Sequence, residues 1–320
     1  MLAGVFPLQL GSRHVELEKR RGKILRPRLL GTINDDELQL SDFVFAPTTN
    51  NATLIYQLTS WLRAQRTLRW DQLRVVKIPE DSAFFYAARA RLPRATLAER
   101  YDASAYFDVS GTYEQATRAM SNKFRSNLRR RARLADSSAP LRFRSYQRPE
   151  DTPEGFAVFL EVEASGWKGQ SGTSSAIRCR PGMLAFYSEL VREFAPPGSC
   201  FIHTLWHGDL PIAAQFGLRI GRTLHVLKVG YRDSHALLAP GILLHEKTIR
   251  HACQDPEIDI LSLVNSPPWA RSFRPLTVGV WLYRTPNWTV RGLLAQVGLL
   301  AWNKWKIRPA RAFVAAEEES

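Results

Sequence analysis

The stretch CFIHTLWHGDLPIAAQFGLRIGRTLHVLKVGY, residues 200–231, contains three apolar runs separated by two turns of hairpin length, His207-Gly208-Asp209 and Gly221-Arg222. Runs rich in Val, Ile, Phe and Thr and bounded by Gly and Asp favour strands, and connections this short leave neighbouring strands antiparallel. A meander is therefore predicted, with strands over 200–206, 210–220 and 223–231. Just beyond it, Pro240-Gly241 stands ahead of an apolar-periodic stretch that predicts a helix over 242–253, and 258–263 returns as a buried strand. This order describes an α+β sheet opened along one strand by the N-terminus of a helix.

Upstream of the meander, the pattern predicts a strand over 141–146, a helix over 153–165, a Gly- and Ser-rich loop over 166–179 and a helix over 182–194. The run Asp136-Ser-Ser-Ala-Pro140 breaks the chain ahead of them and marks a domain boundary. The first half alternates strands and helices. Short strands between 23 and 46 flank a turn at Asn34, Asp35 and Asp36. A helix over 53–66 presents Leu54, Leu58, Trp61 and Leu62 at helical spacing, and strands follow over 73–78 and 105–109. A long helix, capped by Ser110 or Thr112, is then expected to about residue 135. The last strand falls over 278–283. The expected division is 1–138, 139–288 and a C-terminal segment over 289–320.

Composition bounds the partners. A chain of 320 residues with 45% hydrophobic content has ample material for a packed core. Its 44 Lys and Arg against 30 Asp and Glu leave a formal charge of +14, which favours anionic partners such as coenzyme A, nucleic acid or anionic lipid. Lys123, Arg125, Arg129, Arg130, Arg131 and Arg133 crowd the long helix, either to hold phosphates or as a solvated face. Three cysteines, Cys179, Cys200 and Cys253, have no C-x-x-C spacing, so neither a disulfide framework nor a zinc ribbon is expected, and a reducing cytoplasm fits. The N-terminus lacks a basic residue before its apolar run and is interrupted by Pro7, unlike a secretory signal. No stretch approaches the length of a membrane-spanning helix. His203 and His207 flank a strand and its turn, and His245 and His251 face different ways on a helix, so no metal site is expected. From 290 to 311, Leu293, Leu294, Val297, Leu300, Trp302 and Trp305 alternate with Arg291, Lys304, Lys306, Arg308 and Arg311, which suits a helix docked on the sheet or one lying on a membrane surface.

The chemistry concentrates where the meander meets Ala239-Pro240-Gly241-Ile242-Leu243-Leu244. Unpaired amides of a first helical turn bind a pyrophosphate without any side chain, although every helix start offers such amides. Lys228 lies mid-strand between Leu227 and Val229, where a cation needs an anion or the solvent face. Glu163-Ala-Ser-Gly-Trp167-Lys168-Gly169, Gly208-Asp-Leu-Pro-Ile-Ala213-Ala214, Leu227-Lys228-Val-Gly-Tyr231-Arg-Asp233 and Ala239-Pro240-Gly241-Ile-Leu-Leu244 together resemble the CelD-like branch of the GNAT superfamily, relatives of the FemAB aminoacyltransferases. The resemblance covers about 105–275. It implies a GNAT fold, a degenerate first copy of that fold, and acyl transfer from acetyl-CoA or another acyl-CoA to an amine on a small molecule or an envelope precursor, without a metal.

By the same resemblance, Lys228, Val229, Pro240, Gly241, Ile242 and Leu243 contact the donor, and a backbone amide of the strand leading to Tyr231 holds the oxyanion. Glu163, or second Asp233, takes the amine proton, and Tyr231 protonates the departing thiolate. Trp167, Lys168, Gln215, Asn265 and Trp269 fall on the acceptor side. Two departures stand out. Relatives carry Ser where this chain has Ala239, and Asn265-Ser-Pro-Pro-Trp269-Ala-Arg271 replaces their usual acceptor-side turn. The alternatives are a FemAB-type aminoacyl-tRNA donor, with the Arg-rich helix on the RNA, and a catalytically silent scaffold of an exopolysaccharide assembly.

Overall fold

The computed structural model describes residues 2–11, 27–33, 40–166, 168–169 and 172–301. In chain order the elements are β1 (Gly4–Val5), β2 (Leu8–Gly11), β3 (Leu29–Thr32), β4 (Val44–Phe45), α1 (Asn51–Ala64), β5 (Gln72–Pro79), α2 (Ala83–Arg91) and β6 (Leu97–Asp108). There follow α3 (Tyr113–Ala116), α4 (Asn122–Ser138), β7 (Leu141–Tyr146), α5 (Thr152–Glu163), α6 (Pro181–Phe194), β8 (Cys200–His207), β9 (Leu210–Ile220) and β10 (Thr223–Tyr231). After α7 (Pro240–Ala252) and β11 (Ile260–Ser262), the last strand is β12 (Leu276–Pro286), with a helix over 290–301 behind it.

The chain forms two compact units, Met1–Ala103 with Val278–Ser320, and Ser104–Thr277. The boundary expected at residue 138 therefore falls inside the second unit, and β12, expected in the second domain, belongs to the first from Val278 onward. Packing explains the difference. Leu128 of α4 is buried with Phe107, Phe201 and Leu244, and Phe124 meets Phe273 with ring centroids 4.9 Å apart, so the basic helix is part of the second core. β12 pairs antiparallel with β5, which draws the end of the chain back to the first unit.

In the first unit β3 and β5 run parallel, with β2 antiparallel to β3. Ile55, Leu62, Trp70, Val75, Ile78, Phe84 and Phe85 form its core. The helix expected over 53–66 is α1, and the strand over 73–78 is β5. The turn at Asn34, Asp35 and Asp36 lies outside the described residues. α2 was not expected, since its Ala- and Arg-rich sequence has little periodicity. Tertiary burial of Phe84, Phe85, Ala87 and Ala88 and a cap by Ser82 decide it instead.

In the second unit the strand order is β6-β11-β10-β9-β8-β7, antiparallel except for the β10–β11 pair. The meander is as expected. Because side chains alternate across a strand, β8 feeds both faces of the sheet. Phe201 and Leu205 join α4 and α7 in one core, while Cys200 and Ile202 join α5 and α6 in the other. The long helix expected from 110 to 135 is two helices. α3 carries a capping box of Thr112 and Gln115 and stops at Thr117, and Ser121 restarts the chain as the cap of α4.

Candidate active site

Strand β10 is paired with β9 along its whole length, with a bulge between Val226 and Lys228. On its other edge it meets β11 only over Thr223, Leu224 and His225. Beyond His225 that edge has no strand partner among the described residues. The cause lies in the partner chain. β11 lies between β6 and β10, and after Ser262 its chain keeps only the bonds to β6, with Leu263 N donating to Ala105 O at 2.8 Å and Ala105 N to Asn265 O at 3.0 Å, while Val264 turns at a left-handed φ of 54°. The result is a notch along Val226 to Tyr231, with edge groups of β10 facing into it.

The start of α7 stands at the end of that strand. The chain leaves Tyr231 through a short 3-10 turn, Asp233–Leu238, and reaches Ala239 in the left-handed region, φ 52° and ψ 55°. Pro240 opens the helix at a position where a missing N–H costs nothing. Ile242 N and Leu243 N both return to Ala239 O, at 3.0 and 3.2 Å. Of the three amides expected at the phosphate site, two thus close the turn. The Gly241 amide is left without a protein acceptor among the described residues, on the positive end of the helix. The Tyr231 ring lies beside it, since a Cβ added at Gly241 would stand 3.8 Å from Tyr231 Cδ1. Pro240 and Leu243 are buried, whereas Ile242 is half-buried.

On the α5 side of the sheet sits a knot of charge. Glu163 is 4% exposed. Its Oε2 accepts from Ile177 N at 3.0 Å, and its Oε1 is 3.6 Å from Lys168 Nζ. Lys168 in turn donates to Val229 O at 3.3 Å, tying the loop after α5 to the notch edge of β10. The knot needs Gly230, because a Cβ there would lie 2.6 Å from Glu163 Cα. Asp233 is exposed and faces Gly166, where an added Cβ would be 2.9 Å from its Oδ2. Trp167 lies outside the described residues. Lys228 is half-buried beside the bulge.

The residues expected on the acceptor side separate. Gln215 pairs in register with Val229 but points to the α7 side of the sheet, where its Nε2 meets His203 Nδ1 at 3.1 Å and its Oε1 has no partner. Burial drives the His203 imidazole well below its usual range, with His251 at 5.1 Å between centroids adding to the shift. Asn265 is held at β6 by its carbonyl. Trp269 packs edge-on to His245, with centroids 5.0 Å apart.

Three features carry no clear sequence signal: the left-handed Ala239, the tie from Lys168 to Val229, and His245. The His245 ring is buried against Phe107, Trp269 and Phe273, and neither nitrogen has a partner. Burial alone lowers its pKa to about 3. A lone His in an apolar helix stretch was the available hint for it.

Residues 122–266 match the family model described as acetyltransferase (GNAT) domain. The second unit accordingly has an α+β GNAT fold with a mixed, mainly antiparallel sheet. The chain is similar to the C-terminal domain of a putative lysylphosphatidylglycerol synthetase from Agrobacterium fabrum, at 13% identity and TM-score 0.53 over 85% of this chain and 80% of that one. It is also similar to L-PGS from Bacillus licheniformis, at 11% identity and TM-score 0.52 over 85% and 84%. A third likeness is to FemX, at 8% identity and TM-score 0.52 over 92% and 90%. At these identities the likeness shows the fold alone. No curated protein sequence matches.

Proposed function

We propose that the second unit transfers an acyl group from an acyl-CoA, acetyl-CoA in the simplest case, to an amine on a small molecule or an envelope precursor. The observation that carries this reading is the edge of β10 from Val226 to Tyr231, which has no strand partner among the described residues and ends beside the Gly241 amide. An acyl-CoA has an amide-rich arm that can lie along such an edge as an added strand, and a pyrophosphate that suits the positive end of α7. The amine attacks the thioester carbonyl, an edge amide of β10 holds the resulting oxyanion, and the carbon–sulfur bond breaks. The Tyr231 phenol gives its proton to the departing thiolate.

The amine proton needs an acceptor, and the two candidates differ in access. Glu163 is buried with both oxygens engaged, so it positions Lys168 and the loop reaching Ile177. Asp233 is exposed at the mouth of the notch and takes the proton. The assignment to the CelD-like branch, with polysaccharide or envelope assembly as its setting, rests on the motif resemblance.

One observation favours a second reading. Lys123, Arg129, Arg130 and Arg133 are exposed on α4 and form no ion pair among the described residues, as an RNA backbone would require of an aminoacyl-tRNA-dependent transferase. The test is thiol release from acetyl-CoA with a panel of amino sugars and amino acids, using the native protein and Asp233→Asn. Turnover with at least one amine, lost in the variant at low pH and partly recovered at high pH, is the expected result. Absence of turnover, together with salt-sensitive binding of tRNA, would transfer the case to the second reading.

A further inference from the structure

In the first unit, the helix over 290–301 packs with its polarity inverted. Its inner face holds Gly292, Gln296 and Leu299. A Cβ at Gly292 would lie 2.4 Å from Asp71 O, so the helix backbone approaches β5 closely. Gln296 is buried at 3% exposure. Its Nε2 donates to Ala95 O at 2.6 Å, and its Oε1 accepts from Gln72 Nε2 at 3.3 Å. These bonds fix the helix about its own axis, because turning it would strand a buried amide.

The outward face is aliphatic. Val290 is 77% exposed, Val297 62% and Leu294 54%, and Leu293 and Leu300 are exposed beside them. At 100° per residue these five positions fall within about a third of the helix circumference, and no charged residue lies among them. A soluble domain rarely leaves such a contiguous stripe to water. Aromatic and cationic groups border it. Trp288 is 60% exposed with the Arg63 guanidinium 4.6 Å over its ring, and Arg291 is exposed on the flank. In the sequence beyond, Trp302, Lys304, Trp305, Lys306, Arg308 and Arg311 continue the same chemistry.

We infer that this face of the first unit docks on an anionic lipid surface, with the aliphatic stripe at the acyl boundary and Trp288, Arg63 and Arg291 at headgroup level. The border decides the occupant. Pairing with a second copy would set the same cations of two chains, each carrying +14, against one another, whereas anionic headgroups complement them. No helix among the described residues is long and apolar enough to cross a membrane, so the contact is interfacial.

The test is flotation of the full chain with vesicles of phosphatidylcholine alone or mixed with phosphatidylglycerol, at low and high salt. Its companion is the variant Leu294→Asp with Val297→Asp, which leaves Gln296 and Leu299 untouched. Native protein should float with the phosphatidylglycerol vesicles, less so at high salt. The variant should bind at least about tenfold more weakly at an unchanged melting temperature. The milder Leu294→Ser gives a graded loss if the double variant melts early. The inference fails if native protein stays in the aqueous fraction, if these variants float as well as native, or if light scattering shows a native dimer that the substitutions dissociate.

Discussion

Two helices of the second unit begin in opposite ways. At the start of α4, Ser121 takes an extended conformation and its hydroxyl accepts from Phe124 N, so the helix closes its own first turn. At the start of α7 no side chain caps the helix. The residue before Pro240 is an alanine in the left-handed region, a conformation that costs an L-residue about 1 kcal/mol. Strain and an open amide at one helix start, next to a strand edge with no strand partner among the described residues, suit the proposed donor site, whereas α4 opens on a satisfied cap. Of its exposed cations, Lys123 stands in that first turn, and Arg129, Arg130 and Arg133 lie farther along.

The contrast can be broken or sharpened by substitution. The largest effect is expected at the wall of the notch, where Gly230→Ala drives a Cβ to 2.6 Å from Glu163 Cα and should cost about 3 kcal/mol, read by denaturant titration. Next comes the interior of α7. The His245 pKa is depressed from 6.5 to about 3 in the folded protein, so between those values the unfolded chain holds a proton that the folded one lacks. Its contribution is fully present above pH 6.5 and is lost as pH falls toward 3. His245→Phe should flatten that slope in melts taken across the range.

Smaller effects separate the two helix starts directly. Ser121→Ala should lower stability by about 1 kcal/mol and leave acetyl-CoA affinity unchanged, as followed by thermal melting and titration. Ala239→Gly should act the other way, raising stability by up to about 1 kcal/mol, because glycine adopts the left-handed conformation without strain. Destabilisation by Ala239→Gly would show that the turn is not strained as described.

Much of this was legible in the sequence, and for physical reasons. The meander announces itself through short Gly- and Asp-containing turns between apolar runs, and Pro240-Gly241 marks a helix start by the chemistry of its backbone. The placement of α4 was not legible, because a break such as Asp136-Ser-Ser-Ala-Pro140 interrupts a helix whether or not a domain ends there, while burial of Leu128 and Ala135 is a tertiary fact. The surroundings of Glu163 were equally hidden. Its residue type suits a general base, and only the bonds to Ile177 and Lys168 show it occupied. For the C-terminal helix, the sequence allowed a docked or an interfacial element, and the buried Gln296 shows that the aliphatic stripe faces outward.

The most direct test of the donor site is calorimetric titration of native protein and Gly241→Pro with acetyl-CoA. Proline removes the one open amide of the first turn of α7, where no intrahelical hydrogen bond is lost. Micromolar binding by the native protein that falls by at least about tenfold in a variant of unchanged melting temperature is the expected result. Equal binding by the two proteins, or none by the native one, would contradict it.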